Sequence, residues 1–113
     1  VSQAGEASVF GPAGLASVTI PVMVQAGSND TPEWNAYLTY NNVSSIQKAQ
    51  VVFEGAGHMI FVDSYRPVST QDLVHHFTTA FLLDTLKGDK EAHKALLPDA
   101  VEFPGITYQT TMK

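Results

Sequence analysis

Two short apolar runs stand out along the chain, and each ends in glycine and then hands over a polar residue. The first is Pro21-Val22-Met23-Val24-Gln25-Ala26, broken by Gly27-Ser28-Asn29-Asp30. It is apolar on nearly every position, which predicts a strand over 22–26 covered on both faces in a parallel sheet. Pro21 sits at the strand's first residue, where proline is tolerated. The second run, Val51-Val52-Phe53, passes through Glu54-Gly55-Ala56-Gly57 to His58 and predicts a strand over 50–54. Between the two, Thr31-Pro32-Glu33 carries helix-start chemistry: a capping hydroxyl, a proline at the first helical position and an acid in the first turn. Trp34, Tyr37, Leu38 and Asn41 fall on one side of that helix, which fades near Asn41-Asn42, and residues 43–48 form a loop or a short helical turn. Strand, helix and strand at this spacing predict a right-handed parallel crossover unit.

Further on, Tyr65-Arg66-Pro67 predicts a turn. Ser69-Thr70-Gln71-Asp72 resembles a capping box, an oxygen at the cap and an acid three residues later. Behind it Leu73, Val74, Phe77, Ala80 and Phe81 make one helical stripe, and Leu82, Leu83 and Leu86 widen it round the helix, which ends at Gly88. Asp89 is placed to cap a second helix through Leu97, stopped by Pro98. Residues 1–17, rich in Gly, Ala and Ser, predict an irregular lead-in with a short turn at Gly14-Leu15-Ala16. Residues 98–113 contain β-prone Phe103, Ile106, Thr107 and Tyr108 without an evident strand partner. The expectation is one α/β domain over 1–113: a lead-in, a βαβ unit with helices over 18–97, and a tail.

Composition narrows the function. A net charge of −5 over 113 residues, with both signs dispersed, argues against nucleic acid, which requires a basic patch. The absence of cysteine excludes disulfides and thiolate metal sites. No segment has the length of a membrane span, and the first residues lack the basic start and long apolar run of a signal peptide. The compartment stays open.

Asp30 and His58 are the candidate chemistry. Strands of a parallel unit point the same way, so residues just past their ends share one edge of the sheet, where ligands bind in open α/β folds. With neighbouring strands about 5 Å apart, the Asp30 carboxylate can accept from the His58 imidazole and fix its tautomer, leaving the other ring nitrogen as a base. The glycines flanking Ala56 allow the sharp turn. Taken singly, Asp30 is a turn-forming aspartate and His58 a loop histidine; it is their matched placement that pairs them. His75-His76 are adjacent on a helix and point about 100° apart, so they do not readily chelate one ion, and they predict a solvated or cap-side pair. His93 predicts surface and Asp63 a loop acid. Trp34, Tyr37 and Tyr40 predict a packing face. Met59, Ile60 and Phe61 fit core packing or the wall of an acyl pocket.

Phe10-Gly11-Pro12, Gly14-Leu15, Gly27-Ser28 with Asp30, Glu54-Gly55-Ala56-Gly57-His58, and Phe81 with Leu86-Lys87-Gly88-Asp89 form an ordered set. Across residues 9–97 that set resembles the C-terminal part of the α/β-hydrolases. It is similar to a bacterial subgroup of dienelactone hydrolase-like proteins akin to platelet-activating-factor acetylhydrolases and polyester-degrading esterases. The resemblance implies a partial α/β-hydrolase fold, with Asp30 as triad acid and His58 as general base of carboxylic-ester hydrolysis through an acyl-enzyme. It implies a small ester as substrate, with no metal or organic cofactor. Chain order in that family puts the nucleophile before the acid, on a Gly-x-Ser-x-Gly elbow. Ser2, Ser8 and Ser17 have no preceding strand here and Ser28 lies inside the acid turn. The expectation is therefore the C-terminal portion of a serine hydrolase, inactive alone. The alternative is a non-catalytic interaction module, a homodimer invited by the open edge of the 22–26 strand, sharing a continuous sheet or exchanging the tail.

Overall fold

A computed structural model describes the chain except residues 1, 4–6, 31–32 and 63–67, with side chains described for 10–30, 35–62 and 68–113. Four strands form one mixed sheet in the order β1 (Ser2–Gln3), β2 (Val22–Gly27), β3 (Lys48–Phe53), β4 (Ile106–Thr110). β1 and β2 are parallel, β2 and β3 are parallel, and β4 runs antiparallel to β3. Helices α1 (Ala7–Ala16), α2 (Glu33–Asn42), α3 (Val68–Lys87) and α4 (Lys90–Lys94) complete the fold. The α/β class and the parallel strand–helix–strand unit expected from the apolar runs are present.

The core follows the pleat. In β2 and β3 every residue after the first is buried, as continuous apolar runs predict. Met23 on β2 and Ala49, Val51 and Phe53 on β3 pack with Phe77 and Phe81 of α3 and Leu96 beyond α4. The alternate β2 residues Val24 and Ala26 face Ala36 of α2, and Leu15 of α1 meets Val43 nearby. Helices therefore lie on both faces, α3 and α4 on one and α2 with α1 on the other.

Several expectations are corrected. Residues 7–16 are helical rather than irregular. The backbone breaks only at Gly11 (φ 63°, ψ 170°), and Pro12 opens the second helical piece, where it has no intrahelical N–H to lose. The edge of β2 is not bare, because Ser2 and Gln3 pair with Val24 and Gln25 as β1, so Ser8 and Ser17 do follow a strand, contrary to expectation. The tail has a partner: β4 pairs with β3 from Phe53 opposite Ile106 to Ala49 opposite Thr110, an antiparallel contact that only chain reversal after α4 makes possible. On α2 the buried residues are Ala36 and Tyr40, while Tyr37 is exposed, so the stripe is rotated from the predicted one. The predicted helix start at Thr31-Pro32, the turn at 65–67 and Asp63 lie outside the described residues, as does the side chain of Trp34. α3 begins at Val68, so Ser69 sits within its first turn and not at its cap. Its stripe of Phe77, Ala80 and Phe81 is buried as expected, but Leu82 and Leu86 are exposed. α4 is capped as predicted, with the Asp89 carboxylate accepting from the Glu91 and Ala92 amides at 3.0 and 2.9 Å, and it ends at Lys94, short of Leu97.

His93 is a tether and not a plain surface residue. Its Nδ1 lies 3.0 Å from Asp84 Oδ2 on α3 and its Nε2 2.9 Å from the Lys113 carbonyl oxygen. Both partners are acceptors, so both bonds form together only when the ring carries two N–H groups, as imidazolium. The Lys113 carbonyl and then the Asp84 carboxylate hold the His93 proton more tightly than usual, against a smaller opposing effect of desolvation. A raised folded-state pKa means that this stabilisation is complete below the unfolded value of about 6.5 and is lost as pH rises through the folded one. Melting curves from pH 5 to pH 9 should therefore show the intact chain losing more stability than His93→Gln; parallel curves would remove His93 as the tether.

Candidate acid–base site

The register sets the site. Gly27 pairs with Phe53, so β2 and β3 end level, and the chain leaves both at the same carboxyl rim. After β2, Ser28, Asn29 and Asp30 form a tight turn closed by the Asp30 amide donating to the Gly27 carbonyl at 3.0 Å. After β3, Gly55 turns at φ 73°, a conformation that a side chain would strain. Gly57, expected to share that role, is extended at φ −99°, so only one glycine of the pair is needed for the bend. His58 opens a 3-10 turn, His58–Phe61, where a loop was expected.

The two turns are laced together. The Asn29 amide donates to the Ala56 carbonyl at 2.9 Å and Asn29 Nδ2 to the Gly55 carbonyl at 3.0 Å. The Gly55 amide donates to Ser28 Oγ at 2.7 Å, and the Ser28 amide to the Phe53 carbonyl at 3.0 Å. Contact is close enough that a Cβ on Gly27 would stand 2.2 Å from the Ala56 carbonyl oxygen. Below, Ile60 is buried and Phe61 packs on the core, while Met59 is exposed, so the core reading holds for two of the three. Gln71 on α3 donates from Nε2 to the Val62 carbonyl and pins the end of the 3-10 turn.

This lacing brings Asp30 and His58 together. His58 Nδ1 stands 2.8 Å from Asp30 Oδ2. An ionised carboxylate only accepts, so Nδ1 carries the proton and donates. The Asp30 side chain is 6% exposed and the His58 ring 57%. A shielded carboxylate thus orients a ring that remains largely open to solvent.

The other candidates stay apart from this pair. His75 is exposed, and His76 packs edge-on to Phe77 and Phe103 at centroid distances of 5.2 and 5.4 Å. His76 is therefore an aromatic spacer and not half of a solvated pair. Among the described residues no group of three or more His, Asp or Glu is placed to hold a metal ion. Tyr40 is buried, with Lys48 Nζ 5.0 Å from its ring centroid and donating to the Tyr40 and Val43 carbonyls at the end of α2. The sequence reading missed the lacing by Ser28 and Asn29 and the close approach of Gly27. The signal was a Gly-Ser-Asn-Asp run whose four residues all turned out to be used.

No protein-family model matches the chain, and no curated protein matches it. The class defined by fold and geometry is an α/β domain with an Asp–His pair at the carboxyl rim of two parallel strands. No helix among the described residues is long and apolar enough to cross a membrane.

Proposed function

We propose that Asp30 and His58 are the acid and general base of a carboxylic-ester hydrolase of the α/β-hydrolase kind, completed by a serine nucleophile from outside these 113 residues or from another chain. One observation carries this reading: the 2.8 Å bond from His58 Nδ1 to Asp30 Oδ2 at the shared rim of β2 and β3. In the reaction, His58 Nε2 takes the serine proton as the hydroxyl attacks the ester carbonyl. The imidazolium, stabilised by Asp30, then protonates the departing alcohol. Water repeats the sequence on the acyl-enzyme and releases the acid. Three serines among the described residues are engaged in backbone hydrogen bonds. Ser28 Oγ accepts from the Gly55 amide, and Ser17 and Ser45 donate to backbone carbonyls of Gly14 and Ile20.

Exposed Ile20, Leu82 and Leu86 line an open cleft of about 330 Å³ beside Pro21. Such apolar surface supports association with a completing segment, and equally supports the second reading, a non-catalytic module that pairs with its own copy. One experiment separates the two. The coding sequence before Val1 is read for a Gly-x-Ser-x-Gly elbow, and the protein it encodes is treated with a fluorophosphonate and a p-nitrophenyl ester. Labelling and turnover by that protein, with neither in the isolated 113-residue chain, are expected. A complete frame without the elbow would leave the interaction module standing.

A further inference from the structure

Against the turn that delivers His58, on the α3 side of the sheet, lies a cleft of about 300 Å³. Its walls are the end of β3, the first turns of α3 and the loop leading into β4. Phe53, Leu73, Phe103 and Ile106 give it an apolar lining. Ser69 and Thr70 bring two hydroxyl-bearing residues from α3, and Glu54 adds a carboxylate. Ala56, in the turn that delivers His58, also lines it. Because Phe53 pairs with Ile106, the loop before β4 rises to the same carboxyl rim as the two turns. Glu54 is held in place: its Oε1 accepts from Thr107 Oγ1 at 3.0 Å, and its amide donates to the Gly105 carbonyl at 2.9 Å.

We propose that this cleft is a binding site for a small neutral alcohol, a single ring or short aliphatic group bearing a hydroxyl. The volume lies at the small end of ligand sites, enough for one ring with its substituent. Apolar walls take the hydrocarbon. Glu54 accepts from the ligand hydroxyl, and Ser69 and Thr70 complete its hydrogen bonds. The same carboxylate repels an anionic ligand, so the site separates an alcohol from the corresponding acid by charge. An ester hydrolase releases one of each, and a site against the turn that carries the base, keeping the alcohol and rejecting the acid, would serve as a leaving-group subsite. That last assignment rests on the esterase reading; the binding preference does not.

The test uses the 113-residue chain and two probes of equal size, benzyl alcohol and benzoate, followed by amide NMR shifts. Benzyl alcohol is expected to give saturable shifts at Ala56, Thr70, Leu73 and Ile106 with a dissociation constant in the millimolar range usual for so few atoms. Benzoate is expected to bind about threefold more weakly, the charge of exposed Glu54 being partly screened by solvent. Glu54→Gln should close most of that gap by strengthening benzoate binding, and Thr70→Trp, which fills the cleft from its rim, should abolish the benzyl alcohol shifts. Absence of saturable shifts at the cleft, or equal binding of the two probes by the unaltered chain, overturns the proposal. Failure of ester turnover by the longer protein is a separate result that overturns the esterase reading and the leaving-group assignment, not the cleft's preference.

Discussion

Gly27→Ala is expected to lower the melting temperature by roughly 10–20 °C, from a destabilisation of about 2–3 kcal/mol. The added methyl would meet the Ala56 carbonyl oxygen at 2.2 Å and its carbon at 2.7 Å. Those are backbone atoms, so no side chain can rotate away, and the whole Gly55–Gly57 turn has to shift. The shift also strains the bonds from Asn29 to Ala56 and Gly55. The His58 imidazole would then leave Asp30, and the Nδ1–H proton signal of that bond should disappear from the NMR spectrum. Ser28→Ala, which removes one acceptor from the exposed Gly55 amide without a clash, should cost about 1 kcal/mol. A Gly27→Ala chain that melts like the parent and keeps the Nδ1–H signal would show that the close approach is not what joins the two turns.

Asp30→Asn carries the second large effect: if the proposed esterase reading holds, the protein completed by a nucleophile should lose about 10⁴-fold in kcat, with much smaller change in KM. The amide is nearly the same size as the carboxylate, so the fold should persist. It can, however, present its NH2 group to His58 Nδ1, which then becomes the acceptor and moves the ring proton to Nε2. A ring protonated at Nε2 cannot take a proton from a nucleophile. Imidazole 15N shifts of the 113-residue chain would register this tautomer change independently of any turnover. A rate within tenfold of the parent, together with an unchanged tautomer, would remove the pair from the reaction.

The parts of the fold legible in the sequence are those governed by local pattern. β2 and β3 announce themselves because unbroken apolar runs fit a strand buried on both faces, and both are so buried. The α3 stripe was legible because Phe77, Ala80 and Phe81 fall at helical spacing. α1 was not, because Gly11-Pro12 looks like a break; the surrounding residues hold helix on both sides of one kinked glycine. β4 alternates half-buried and exposed residues, a weak signal, and needs β3 beside it to become a strand. Ile60 and Phe61 could have been either core or pocket wall until packing against α3 decided for core.

Two polar residues at the ends of two apolar strands were enough to nominate Asp30 and His58, since strand direction alone places them at one rim. Sequence could not give the 2.8 Å between them. That distance depends on equal strand ends, on the absence of a Cβ at Gly27 and on four cross-turn hydrogen bonds, all contacts between residues some 25 to 30 positions apart. The anchoring of the tail through His93 and the cleft beside Glu54 belong to the same category. Each is built by elements that meet only after the chain has reversed on β4, and no local pattern encodes a meeting of that kind.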